Sequence, residues 1–259
     1  MELYILRHGT TVWNKEHRIQ GSTDTSLDSL GLEMARRTGE RFRELGIRFQ
    51  RVYSSPMRRA FETARLVLGE TSADTGKERM QGGMTEKIVL RKGSGRQEAA
   101  SRIITDPRLR ELSFGMQEGC FIKDLILEEA PFIFFKSDPA EYDRRAALDP
   151  SMESLTELCD RTGEFLREEI EMRLREETEE RIPERILISA HGACNKGLLM
   201  HIRGERDMRK FWGGGLQPNC GVDVVHFDVS SGSYRILEEN RIFYPEELLK
   251  EAGNLLSGR

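Results

Sequence analysis

The chain opens on a short apolar run, residues 2–6, that ends against Arg7-His8-Gly9, and short apolar runs followed by polar loops recur downstream. Continuous apolar runs of this length, bounded by turn residues, are the pattern of strands buried on both faces in a parallel sheet. Residues 2–6, 51–54 and 185–190 fit it. Helical spacing fills the intervals. Leu32, Ala35, Phe42 and Leu45 share one side of a helix over 32–45, stopped by Gly46. A second helix over 57–68 starts after Ser55-Pro56. Residues 121–136, which carry Phe121, Ile122, Phe132, Ile133, Phe134 and Phe135, read as a smaller helical region, and 194–202 reads as a further helix. Ser154 and Glu157 have the spacing of a capping box at the head of a long charged helix over 154–180. Residues 222–228 and 234–240 read as two closing strands joined at Ser231-Gly232-Ser233.

Strands separated by helices predict an α/β fold, a three-layer α/β/α sandwich with a mainly parallel central sheet, in a single domain over 1–259. Residues 70–102 break the rhythm. Five glycines there mix with Ser, Thr, Lys, Arg and Glu, and apolar periodicity is lost, which predicts a flexible inserted loop.

Composition narrows the function classes. Charged residues make up 32% of the chain but the net charge is only −4, which argues against a nucleic-acid surface and makes any anion site local. No apolar run is long enough to span a bilayer, and the first residues lack a secretory pattern. The four cysteines are scattered, without metal-site spacing, and read as free thiols, so a cytoplasmic location is expected. Gly76-Lys77 is followed by Glu78 and lacks the spacing of a P-loop, and Gly93-Ser94-Gly95 fails as a dinucleotide fingerprint. Nothing in the sequence sets an oligomeric state.

In open α/β sheets, ligands bind beyond the carboxyl ends of the strands. Three chemically loaded segments fall there: Arg7-His8-Gly9, Ser55 to Arg59, and His191. Arg7 offers phosphate a planar fork of donors, Gly9 permits close backbone approach, and His8 is a base and nucleophile near neutrality.

Together these segments resemble the histidine phosphatase superfamily, also called phosphoglycerate mutase-like. The resemblance rests on Arg7-His8-Gly9 with Asn14, on the run from Ser54 to Ala64, on Leu109-Arg110-Glu111-Leu112-Ser113-Phe114-Gly115 with Glu118-Gly119, and on Ser189-Ala190-His191-Gly192. It implies that His8 attacks phosphorus and becomes a phosphohistidine, and that Arg7, Asn14, Arg59 and His191 bind the phosphoryl oxygens. It also implies that Glu111 donates the proton to the leaving alkoxide and then activates water. Such chemistry is positioning plus charge stabilisation and needs no metal or other cofactor. The stretch 17–25 is similar to the bacterial small-molecule phosphatases and implies that Gln20 and Gly21 touch a small phosphorylated metabolite. Glu153-Ser154 and Gln217-Pro218-Asn219-Cys220 point the same way.

Two other readings stay open here. A phosphoglycerate mutase needs extra cations, for which Arg144-Arg145 are candidates, and a non-catalytic phospholigand-binding module can share the fold. His17, His201 and His226 have no partner pattern and read as structural or surface residues, Arg58 as an exposed helix residue, and the charged helix as a solvated face.

Overall fold

A computed structural model describes residues 1–70, 103–125 and 130–253. Its strands are β1 (Glu2–Arg7), β2 (Arg51–Ser54), β3 (Ile103–Thr105), β4 (Arg185–Ala190), β5 (Val222–Asp228) and β6 (Ser233–Arg241). They form one sheet in the order β3-β2-β4-β1-β5-β6. The first four in that order run parallel, while β5 is antiparallel to both β1 and β6. The mainly parallel sheet is therefore as expected.

Alternation along the central strands separates two cores. Leu3 and Ile5 of β1, with Ile186 and Ile188 of β4, point to one face; Tyr4, Leu6 and Leu187 point to the other. The first face is covered by the helices Leu155–Phe165 and Gly192–Ile202, the second by Ser29–Glu44 and Arg58–Val67. That makes three layers. Each fully buried Leu, Ile or Phe in them contributes about 1.5–3 kcal/mol relative to exposure.

Several elements differ from expectation for local reasons. The first long helix starts at Ser29, because the Asp28 carboxylate accepts the Gly31 N–H and caps it. Its buried stripe is Leu30, Met34, Ala35, Thr38 and Phe42, so Leu45 ends up 43% exposed at the C-cap and Leu32 half-buried. The second helix begins at Arg58, with Met57 as its cap.

The charged helix starts at the expected capping box but ends earlier. It runs as an α-helix to Phe165, a π-helix over Leu166–Met172 and a last turn Arg173–Glu176. It is no mere solvated face, since Leu158, Phe165, Leu166, Ile170 and Leu174 are fully buried in the core. The phenylalanine-rich segment forms short helices, Ile122–Leu125 and Phe134–Ser137, in place of one longer helix. The edge strand β3 and the helices Pro139–Ala146 and Glu246–Ala252 were not expected. The insert expected at 70–102 lies, from residue 71 on, outside the described residues.

Candidate active site

Strand register brings the two histidines together. Arg7 of β1 pairs with Ala190 of β4, and Ser54 of β2 pairs with Ser189, so His8, Ser55 and His191 leave three adjacent strands at the same edge. The His8 N–H donates to Ala190 O at 3.1 Å. The imidazole rings lie 5.2 Å apart, inclined at 60°.

The His8 loop is fixed from several sides. Gly9 N–H donates to Thr63 Oγ1 at 3.1 Å, and Asn219 Nδ2 donates to His8 O at 3.1 Å. Tyr244, buried near the end of the described chain, donates its hydroxyl to Asn219 O at 2.8 Å. Gly9 is needed for a closer approach still: a Cβ there would lie 2.6 Å from Gly31 O, at the head of the helix Ser29–Glu44.

His8 is buried, and its Nδ1 lies 2.6 Å from Gly9 O. A carbonyl only accepts, so Nδ1 carries the proton and the Nε2 lone pair stays free. Burial, then the charges of Arg59 and Arg7, hold His8 neutral well below the usual imidazole range, against the opposing pull of the Gly9 carbonyl.

Arg59 is fully buried and bonded to His191. Its Nε–H donates to His191 Nδ1 at 3.2 Å, Nη1 to Thr23 O at 2.8 Å and Nη2 to Gly21 O at 2.7 Å. Burial pushes this guanidinium down to about 10, with Glu111 and Asp24 opposing. Because His191 Nδ1 accepts, its proton sits on Nε2, which faces Ser55 Oγ at 2.8 Å. Burial and then Arg59 keep His191 neutral as well. Arg7 donates to Gln217 O, while its Nε–H is buried without a hydrogen-bond partner among the described residues. Arg58 is exposed, as expected, with Asp24 beside it at 3.5 Å.

Glu111 reaches the same region from a loop and caps the helix Gly192–Ile202. Its Oε1 accepts the N–H of Cys194 at 3.0 Å and of Leu112 at 2.9 Å, and Oε2 accepts the N–H of Ala193 at 3.2 Å. Oε2 thus keeps a lone pair for one more partner. Glu118 plays a different part. It takes the backbone N–H groups of Ser22 and Thr23, both at 2.8 Å, and of Phe114 at 3.0 Å, pinning the loop after Gly21. Burial opposes ionisation of Glu118, but hydrogen bonds from Thr23, Ser22 and Phe114 prevail and lower its pKa.

Asn14 combines two readings. Its Oδ1 accepts the Thr11 N–H at 3.2 Å, closing a capping box, while its Nδ2 makes no hydrogen bond among the described residues. Gln20 Oε1 accepts from the Thr11 hydroxyl at 2.5 Å, so Gln20 and Gly21 lie on the loop that wraps Arg59. His201 pairs with Glu171 at 2.7 Å, His17 is exposed, and His226 lies in β5, all away from the two site histidines. Among the described residues no three His, Cys, Asp or Glu side chains converge as a metal-binding group.

Sequence reasoning missed the supporting residues Ser55, Thr63 and Asn219. All three lay inside segments already quoted as motifs, but their hydrogen bonds depend on strand register and tertiary packing that no local pattern encodes.

The family model described as histidine phosphatase superfamily (branch 1) matches residues 3–79 and 94–240. A probable phosphoglycerate mutase GpmB of Enterobacter sp. (strain 638) is 33% identical over 129 residues, which is 50% of this chain and 46% of that protein. The chain spans less than two thirds of the length of the curated relatives it matches. Among solved structures, Bacillus stearothermophilus YhfR superposes with a TM-score of 0.70 at 24% identity, over 93% of this chain and 97% of that one. The α-ribazole phosphatase from Shigella flexneri gives 0.66 at 21% identity, over 93% and 96%. At these identities the superpositions show a common fold. No helix among the described residues is long and apolar enough to cross a membrane.

Proposed function

Because the chain belongs to the histidine phosphatase superfamily (branch 1), we propose that it hydrolyses a small phosphate monoester, without a metal ion, through a phosphohistidine on His8. Membership itself supports enzymatic phosphatase activity. The observation that carries the mechanism is the state of His8: neutral, its Nδ1 proton held by Gly9 O, which leaves the Nε2 lone pair for attack in the field of the Arg59 and Arg7 guanidinium groups.

In this reading Nε2 attacks phosphorus in line and the P–O ester bond breaks. The equatorial oxygens meet Arg7, Arg59, Asn14 and His191. Arg7 Nε–H, already desolvated and unpaired among the described residues, is a donor that a phosphoryl oxygen would satisfy. The leaving alkoxide takes a proton from Glu111 Oε2. The resulting carboxylate then removes a proton from water as its oxygen attacks phosphorus, the P–N bond breaks, and phosphate leaves with His8 neutral again. Gln20 and Gly21 line the approach for the organic part of the substrate.

The mutase reading has one supporting observation, the likeness to proteins named probable phosphoglycerate mutases. The cations available for it are compromised. Arg144 and Arg145 both pair with Glu141, at 2.7 and 2.5 Å, and Arg145 also lies over the Phe134 ring at 4.3 Å. A clamp for a second anionic group would have to break these pairs.

Phosphate release from a panel of monoesters, with chelator present, tests the proposal. Release that survives chelation and needs no bisphosphate primer is expected. Turnover of phosphoglycerates only after priming with 2,3-bisphosphoglycerate would establish the mutase instead.

A further inference from the structure

The loop that carries Glu111 pairs with no strand among the described residues, yet the carbonyls of four consecutive residues are held. Arg161 Nη1 donates to Arg108 O at 2.6 Å and Arg110 O at 2.8 Å, and Nη2 to Glu111 O at 3.3 Å. Cys194 Sγ donates to Leu109 O at 3.3 Å. Arg161 is itself held by a two-pronged pair with Glu153, Nε to Oε1 at 2.5 Å and Nη2 to Oε2 at 2.9 Å. The Glu153 carboxylate also accepts the Ser113 N–H at 3.2 Å, two residues past Glu111, and Glu153 N–H donates to Ser113 O at 2.9 Å.

We propose that Arg161, oriented by Glu153, is the positioning residue for Glu111: its guanidinium stands in for a missing strand neighbour and fixes where the carboxyl meets the leaving oxygen. The inference rests on the reading of Glu111 as proton donor. A planar fork suits the task, since it spans carbonyls on both sides of the loop while a carboxylate locks its plane. A lysine has a single donor point and cannot hold the same set. The residue comes from the charged helix, Leu155–Phe165, and lies on the face turned toward the site. Ser154, next to Glu153, caps that helix, so Glu153 is anchored at a fixed point of the backbone.

The role separates from general support of the fold through leaving-group dependence. An aryl phosphate such as p-nitrophenyl phosphate departs without protonation, whereas glycerol phosphate needs the acid. Arg161→Ala is expected to lower kcat on glycerol phosphate by roughly a hundredfold, the loss from misplacing a catalytic group by about 1 Å. The loss on the aryl ester should be far smaller, with KM for both little changed. Combined with Glu111→Gln, Arg161→Ala should add almost nothing, because the two act as a unit. Arg161→Lys, the variant more certain to fold, should show the same discrimination with a smaller loss. Equal losses on both esters for either Arg161 variant, or losses that multiply with Glu111→Gln, would overturn the positioning role. If Glu111→Gln alone fails to discriminate between the esters, the proton-donor reading falls and this inference falls with it. If Glu111→Gln discriminates and the Arg161 variants do not, only the inference falls.

Discussion

Arg59 donates its Nε–H to His191 Nδ1 at 3.2 Å, and both residues are fully buried. This contact sets the protonation of the site. With Nδ1 of His191 accepting, the remaining proton must sit on Nε2, toward Ser55. A second proton would have to face a guanidinium. Two neutral imidazoles therefore lie 5.2 Å apart in the field of Arg59 and Arg7, His8 with its lone pair on Nε2 and His191 with its proton there.

Arg59→Lys is not a conservative change in this setting. Lysine cannot hold His191 Nδ1, Thr23 O and Gly21 O at once. The expected loss in kcat is about 10²–10³, comparable to removing one transition-state donor. Steady-state kinetics on p-nitrophenyl phosphate checks it, and a variant within a few-fold of the native enzyme would remove Arg59 from the reaction.

Neutral burial of His8 makes stability pH-dependent. Its folded pKa lies well below its ordinary value of 6.5, so the unfolded chain binds a proton that the native protein refuses. The stability contribution is complete above 6.5 and is lost as pH falls from there toward the folded value. His191 acts in the same direction. Chemical denaturation at a series of pH values should show stability falling through this window, with a shallower fall for His8→Asn. Identical slopes for the two proteins would mean that His8 is not held neutral.

Glu111 is a helix cap as well as the proposed acid. Glu111→Ala removes the acceptor for the N–H groups of Ala193 and Cys194 and should cost about 1 kcal/mol of stability, the usual worth of a cap. Glu111→Gln keeps an acceptor oxygen and should be closer to native stability while losing activity on alkyl phosphates. Equal melting temperatures for Glu111→Ala and the native protein would show that the capping bonds carry no weight.

Gly31 meets the His8 loop at close range, since a Cβ there would lie 2.2 Å from Thr10 O. Backbone has to move to admit it. Gly31→Ala should destabilise by roughly 1–3 kcal/mol, as overpacking does, and reduce turnover by shifting His8. A fully stable, fully active Gly31→Ala protein would place the loop and helix farther apart than described.

Removing Arg144 and Arg145 together should leave monoester hydrolysis within about twofold of native, because exposed ion pairs contribute little. Their pairing with Glu141 is local to one helix. A selective loss on phosphoglycerates would instead identify them as the clamp of a mutase.

The sequence exposed the site through types and spacing that are local: His8 after one apolar run, Arg59 in a helix after a second, His191 after a third. Strand order made those three converge, and the rule that parallel strands present ligands at their carboxyl ends was enough to anticipate it. Arg161 was hidden for the opposite reason. It lies among many charged residues on a helix whose outward face reads as solvated, and its carbonyl partners have no side-chain signature. β3 escaped notice because, among the described residues, it is three residues long, with Ile104 42% exposed. The π-helical stretch Leu166–Met172 likewise has no local signal distinct from α-helical spacing.

The phosphoenzyme itself is the most direct object to measure. A brief incubation with a ³²P-labelled monoester substrate, quenched in alkali, should yield a protein-bound label that is stable to base and labile to acid, as a phosphohistidine is. Peptide mapping should place it on His8, and His8→Ala should carry none. Label on another residue, or turnover by His8→Ala at the native rate, would contradict nucleophilic attack by His8.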